Sequence, residues 1–171
     1  CSNRATALYK QFVEGACLIT SARTAELVKL AENAYRDTNI AFANELSLIS
    51  EAVDVNVWEV IELANRHPRV DILTPGPGVG GHCIAIDPWF IVNSAPESAP
   101  LITAARGVND GKPAHIARRA AASLKEVDTR PIACLGLAYK ANIDDLRESP
   151  AIAVVRDLSA LTERTLLLVE P

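Results

Sequence analysis

The chain has 171 residues, of which 49% are hydrophobic and 22% charged, and its formal net charge is −4. That length and apolar content suffice to bury a core without disulfide or metal staples, whereas the mildly acidic balance lacks the basic footprint that nucleic acid or an acidic membrane surface requires. Neither an apolar run long enough to span a bilayer nor a charged n-region followed by an apolar h-region is present, so the expectation is a cytoplasmic protein with no nucleic-acid and no membrane partner.

The four cysteines, Cys1, Cys17, Cys83 and Cys134, form no CxxC pair, and His67, His82 and His115 lack ligand spacing. Reduced thiols and no metal are expected. The chain opens on Cys and contains no Met, which predicts that sequence precedes it. A lipidated first cysteine is the alternative, although nothing after Cys1 reads as a flexible polar tether.

In chain order, Leu27, Leu30, Ala31, Ala34, Ile40, Ala41, Leu46 and Ile49 recur at helical spacing without Gly or Pro, predicting one long helix from about Thr24 to Glu51. A second helix is expected over Val57–Arg66, capped by Asn56 and stopped by Pro68. The stretch Thr74–Cys83 holds four glycines and two prolines, which breaks any helix and leaves a loop with exposed main-chain amides. Asp87–Pro88 reads as a cap and first helical residue. Pro100 to about Lys125 reads as a long Ala-rich helix that joins two subdomains, with Pro113 a candidate kink or break. Beyond Asp128, an apolar run over Pro131–Leu135 ends at Gly136, Pro150–Leu161 is helical in pattern, and Leu166–Val169 is a second apolar run. Strand, helix, strand is the expected order, with the two strands parallel and the unit the first part of a larger doubly wound domain. The fold class is therefore mainly α with an α/β part.

Several residues could carry chemistry. Cys83 ends the glycine-rich loop beside His82, where a thiol can be exposed and main-chain amides can approach a ligand; free cysteines are also commonly small buried hydrophobes. Lys29 and Asn33 share a face of the first helix, and Asp37 and Asn44 continue the stripe, which suits either a binding surface or a solvated face. Arg66-His67-Pro68-Arg69 could close a helix C-terminus or supply cations to a diphosphate. Lys140 to Pro150 lies between a strand and a helix, where α/β sheets place ligands, but no GxGxxG occurs in the chain.

Taken together and in this order, these segments resemble the UDP-glucose/GDP-mannose dehydrogenase family. Thr24–Asn33 and Asn39–Leu46 look like its long central helix. Gly76–Pro88 looks like its nucleophile loop, and Gly136-Leu-Ala-Tyr-Lys140 with Asp144–Pro150 looks like the start of its nucleotide-sugar domain. The run Ala64–Val70 and the Gly-His-Cys form of the loop most resemble the UDP-N-acetylmannosamine branch. The resemblance implies a long-helix central dimerisation domain followed by the first βαβ unit of a Rossmann-like nucleotide-sugar-binding domain. On that reading residues 1–20 are the tail of an N-terminal NAD-binding domain, 21–127 the central domain and 128–171 the start of the UDP-sugar-binding domain. The chain is thus expected to be a piece that does not turn over alone.

The activity implied is oxidation of a UDP-sugar C6 alcohol to the uronic acid, with NAD as cofactor, through a thiohemiacetal and a thioester on Cys83, in the service of polysaccharide synthesis. Lys29 and Asn33 match residues that stabilise the developing oxyanion, and Asp87 a carboxylate that handles protons and orients water. Gly78, Gly80 and Gly81 match main-chain contacts to the substrate, and Lys140 a substrate-binding lysine. Arg69 resembles an arginine that reaches the neighbouring subunit's substrate site, Arg66 and His67 are candidates for sugar selectivity, and Arg147 matches a cofactor contact. A homodimer through the long helix is implied. The competing expectation is a non-catalytic assembly module that retains the family fold.

Overall fold

The computed structural model describes residues 1–124, 129–140, 142–143 and 145–170. The expected helix end at Lys125, the boundary at 127/128 and Asp144 lie outside the described residues.

A short helix, α1 (Ser2–Tyr9), opens the chain with no buried residue, and an irregular segment leads to α2 (Ala22–Ala52). The long helix expected from periodicity is therefore present. It starts two residues earlier than its apolar pattern because Ser21 caps it, the hydroxyl accepting from the Thr24 amide at 3.1 Å. It ends in a Schellman turn: Asp54 takes φ 55°, and the Val55 amide reaches back to the Ser50 carbonyl at 2.8 Å.

Asn56 caps α3 (Val57–Ala64) as expected, accepting from the Trp58 amide at 3.0 Å. The helix stops before Arg66 because Asn65 turns away and clamps the following loop, donating to the Ile72 carbonyl at 3.0 Å and accepting from the Ile72 amide at 2.8 Å. In α4 (Asp87–Ser94) the cap position belongs to Ile86, so Asp87 is the first helical residue and not the cap; its carboxylate is drawn to another partner, described below. A single 3-10 turn, Pro96–Ser98, leads to α5 (Pro100–Ser123). Pro113 neither breaks α5 nor ends it. It deprives the Asn109 carbonyl of its helical donor, and the glycine-rich loop runs against that carbonyl. The strands β1 (Ile132–Leu135) and β2 (Leu166–Val169) pair in parallel, Ile132 opposite Leu166 and Leu135 opposite Val169, with α6 (Pro150–Leu161) as the crossover.

The helix α5 packs against α2 on one side and α6 on another, and α4 covers part of both α2 and α5. Small residues, Ala34, Ala41, Ala43, Ala105 and Ala117, make up most of the buried apolar set. They let the axes approach closely, and the space between them is filled by polar side chains. The stripe left open by the sequence is thereby decided: Asn33, Asp37 and Asn44 are buried against neighbouring helices, whereas Val28, Tyr35, Phe42 and Ile49 are exposed. These four lie seven positions apart, along one face of α2.

Candidate functional site

Cys83 lies in the turn that leads into α4, and its carbonyl accepts from the Ile86 amide at 3.1 Å and the Asp87 amide at 2.8 Å. The cysteine is therefore fixed, through its backbone, one turn ahead of Asp87, and it is exposed. Asn33 of α2 donates its side-chain amide to Asp87 Oδ2 at 2.5 Å, which moors the start of α4 on the long helix. One turn earlier, Lys29 places its ammonium 3.4 Å from Asn33 Oδ1 and 3.5 Å from Glu32. Lys29, Asn33 and Asp87 form one hydrogen-bonded chain, and the exposed thiol-bearing residue stands at its end.

A buried network supports the other end of the glycine-rich loop. Asn44, fully buried, accepts from the Gly76 amide at 2.8 Å and donates to Asn109 Oδ1 at 2.9 Å. Asn109 in turn donates to Asp37 Oδ1 at 2.8 Å, and Arg106 Nη1 donates to the same oxygen at 2.7 Å while its Nη2 engages Asp110. Burial pushes the Asp37 carboxyl above its ordinary value, against the opposing pull of Arg106 and Asn109. Its second oxygen and Arg106 Nε lack a hydrogen-bond partner among the described residues. Lys112 is buried against the Asn44 carbonyl and the Ser47 hydroxyl, and burial pushes its ammonium down.

The glycines serve close packing within the chain. A Cβ on Gly80 would stand 2.5 Å from Tyr139 Cβ, 2.7 Å from Pro150 Cδ and 2.8 Å from the Glu148 carbonyl oxygen. Gly81, at φ 83°, faces the Tyr139 ring, and Gly78, at φ 138°, lies against the Asn109 carbonyl and Pro150. The space beside all three is occupied by the protein's own α5 and βαβ unit. Sequence had pointed to their main-chain amides; their side-chain sites turn out to seat the two parts of the molecule on each other.

Beside this loop, the Ser149 hydroxyl donates to the Leu137 carbonyl at 2.6 Å. Lys140 is exposed. Arg147 grips Asp145 through Nε at 2.9 Å and Nη2 at 2.7 Å. These bonds hold the Asp145 carboxyl at about 2. Arg66, His67 and Arg69 are held locally: Arg66 pairs with Glu62 at 3.2 Å, and the Arg69 amide donates to His67 Nδ1 at 3.3 Å. Among the described residues their hydrogen bonds stay within α3 and its loop and do not join them to the Lys29–Asn33–Asp87 chain.

Sequence reading missed Arg106, Asn109, Lys112, Tyr139 and Asp145. The first three recur every third residue in an Ala-rich helix, a polar stripe that could have been matched to the stripe on α2. Tyr139 lies within the Gly136–Lys140 motif, but nothing in the sequence showed that it packs on Gly80 and Gly81. Among the described residues no group of three or more His, Cys, Asp or Glu could hold a metal, and no helix is long and apolar enough to cross a membrane.

Residues 23–111 match the model of the UDP-glucose/GDP-mannose dehydrogenase family, central domain, and residues 133–167 match that of the family's UDP binding domain. The whole chain aligns at 61% identity with 40% of the NDP-N-acetyl-D-galactosaminuronic acid dehydrogenase of Ralstonia solanacearum. It aligns at 58% identity with 43% of the UDP-N-acetyl-D-mannosamine dehydrogenase of Salmonella typhi. The chain thus spans about two fifths of the length of these curated relatives. The solved structure of the UDP-D-ManNAc dehydrogenase from Pyrococcus horikoshii superposes on 99% of the chain with a TM-score of 0.88 at 44% identity, over 41% of its own length. The central-domain match and the shared helical frame together place this chain in the UDP-glucose/GDP-mannose dehydrogenase family.

Proposed function

We propose that this chain is the central and UDP-sugar-binding part of an NAD-dependent UDP-sugar 6-dehydrogenase, with Cys83 as its nucleophile. The observation that carries the reading is the hydrogen-bonded chain Lys29–Asn33–Asp87 moored to the turn that presents an exposed Cys83. Residues 21–127 are the central domain and residues 128–171 belong to the UDP-sugar-binding part. Oxidation of a primary alcohol to a carboxylate removes two hydrides, and NAD supplies the acceptor for each when bound.

At the aldehyde stage the Cys83 thiolate adds to the carbonyl carbon, and the new C–O⁻ takes up a proton to give a thiohemiacetal. Lys29 and Asn33, adjacent on one face of α2, supply the positive charge and the amide donor that stabilise that oxyanion. Loss of the second hydride and of the hydroxyl proton leaves a thioester on Cys83. Asp87, oriented by Asn33, takes a proton from the water that attacks the thioester; the C–S bond breaks and the thiolate is regenerated. Among this chain's residues Arg147 is the one that would meet NAD. Its Nε–Nη2 edge is held by Asp145, so its other edge remains to face an anionic or amide group. Lys140, exposed beside the same loop, suits the charge of a UDP diphosphate.

The substrate class is a UDP-2-acetamido sugar, with UDP-N-acetylmannosamine as the specific reading. The exposed face of α2, with Tyr35, Phe42 and Ile49, supports a homodimer. In such a dimer Arg69, with Arg66 and His67, would complete the partner's site. The same face alone would serve a non-catalytic assembly module. The deciding experiment is NADH formation by the full-length protein with UDP-N-acetylmannosamine, UDP-glucose and UDP-N-acetylglucosamine, together with its Cys83→Ser variant. Two NADH per sugar with the first substrate, abolished in the variant, is expected. Normal acid formation by the variant would remove Cys83 from the mechanism, and no reduction with any sugar would leave the assembly module.

A further inference from the structure

We propose that Tyr139 is a positioning residue for the Cys83 loop: from the βαβ unit, its side chain lies on the Gly80–Gly81 backbone and holds the segment that presents the thiol. This rests on the reading of Cys83 as nucleophile. Two adjacent glycines, immediately before His82 and Cys83, both leave room for this side chain, and Gly80 leaves room for Pro150 and the Glu148 carbonyl as well. The Tyr139 Cβ stands where any side chain on Gly80 would begin, at 2.5 Å, and the ring atoms Cε2 and Cζ lie 2.9 Å and 3.2 Å from the corresponding point on Gly81. Gly81 combines this contact with a φ of 83°, a conformation open to glycine at low cost, which turns the chain into the Cys83 turn.

Tyr139 is itself fixed from both sides. Its amide donates to the Asp145 carbonyl at 3.4 Å, and the preceding Ala138 amide donates to Glu170 just beyond β2 at 3.1 Å. The ring thus transfers the rigidity of the parallel strand pair to a loop that contains four glycines in ten residues. Glycine-rich backbone loses more conformational freedom on ordering than any other, so an external flat surface is an effective way to restrict it. Asp145, whose carbonyl accepts from the Tyr139 amide, also holds Arg147 through Nη2 at 2.7 Å.

The test is the rate of Cys83 alkylation by iodoacetamide in the full-length protein, read by peptide mass spectrometry beside Cys134 of β1 as an internal reference. Tyr139→Ala should change the Cys83 rate by about fivefold or more, equivalent to about 1 kcal/mol in activation free energy, with Cys134 essentially unchanged. Tyr139→Phe, which keeps the ring, should restore the wild-type rate. If Tyr139→Ala does not fold, Tyr139→Leu, which loses the flat ring and keeps apolar volume, is read in the same way. An unchanged Cys83 rate, or parallel changes at Cys83 and Cys134, would overturn the proposal. Normal turnover in Cys83→Ser would instead overturn the nucleophile, whatever the alkylation rates show.

Discussion

Asn33 and Asp87 are 54 positions apart in sequence and 2.5 Å apart in space, the amide of one donating to the carboxylate of the other. This bond ties the middle of the chain's long helix to the first residue of α4, and hence to the turn that carries Cys83. Asn33→Ala removes a hydrogen bond to a charged group, an interaction worth about 1.5–3 kcal/mol. In the full-length protein kcat should fall on the order of 10- to 100-fold, with a smaller change in KM, because Asp87 loses its orientation while the residues proposed to hold the UDP group are untouched. Steady-state kinetics of Asn33→Ala check this, and an unchanged kcat would separate Asp87 from the chemistry.

The buried pair Asp37–Arg106 joins α2 to α5 at 2.7 Å. Arg106→Met leaves the Asp37 carboxylate buried without its cation and should destabilise the fold by about 3–5 kcal/mol, measured by denaturant unfolding. Asp110→Asn, which alters the half-exposed partner of the same guanidinium, should cost less than about 1 kcal/mol. Equal losses in the two variants would contradict the burial argument.

Gly80 and Gly76 should respond in opposite ways to alanine. A Cβ at Gly80 meets Tyr139, Pro150 and the Glu148 backbone, all below 3 Å and none of them a flexible side-chain end, whereas nothing lies within 4 Å of one at Gly76. Gly80→Ala should lose about 1–3 kcal/mol through overpacking. Gly76→Ala should be neutral or up to about 1 kcal/mol more stable, through the lower entropy of its unfolded chain. Thermal melts of the two variants give the comparison.

Burial lowers the Lys112 pKa from 10.5, so between the lowered value and 10.5 the unfolded chain holds more protons than the folded one. Its contribution to stability therefore rises with pH through that window, and the cost of burying the ammonium is fully present below it. In Lys112→Met that rise disappears. The stability difference between wild type and variant, followed by chemical unfolding as pH approaches 10.5, should shift toward the wild type; a pH-independent difference would argue against a desolvated ammonium.

Phe42 lies at the centre of the exposed row Val28, Tyr35, Phe42 and Ile49. Phe42→Asp replaces a side chain worth about 1.5–3 kcal/mol on burial with a charge. Dissociation of the proposed homodimer, followed by sedimentation velocity, should move to concentrations at least about tenfold higher. An unaltered sedimentation profile would place the dimer contact on another face.

Local pattern determined the long helices and the βαβ unit, but not α1, since residues 1–20 carried no expectation of a helix: the apolar period of α2, the Asn56 cap, the breakers around the glycine-rich loop and the two short apolar runs are properties of adjacent residues. The order of motifs also determined the family, since each motif is a contiguous string. Sequence could not decide what the polar stripe on α2 faces. Asn33, Asp37 and Asn44 share one spacing, and only the packing of α4 and α5 makes Asn33 the partner of Asp87 and buries Asp37 and Asn44 against Arg106 and Asn109. Nor could it show why Gly80 is glycine, because the atoms that exclude a side chain there belong to Tyr139, Glu148 and Pro150. Periodicity records the repeat of one element. Which face is buried, and which backbone must stay bare, depends on atoms that other segments bring to the same point.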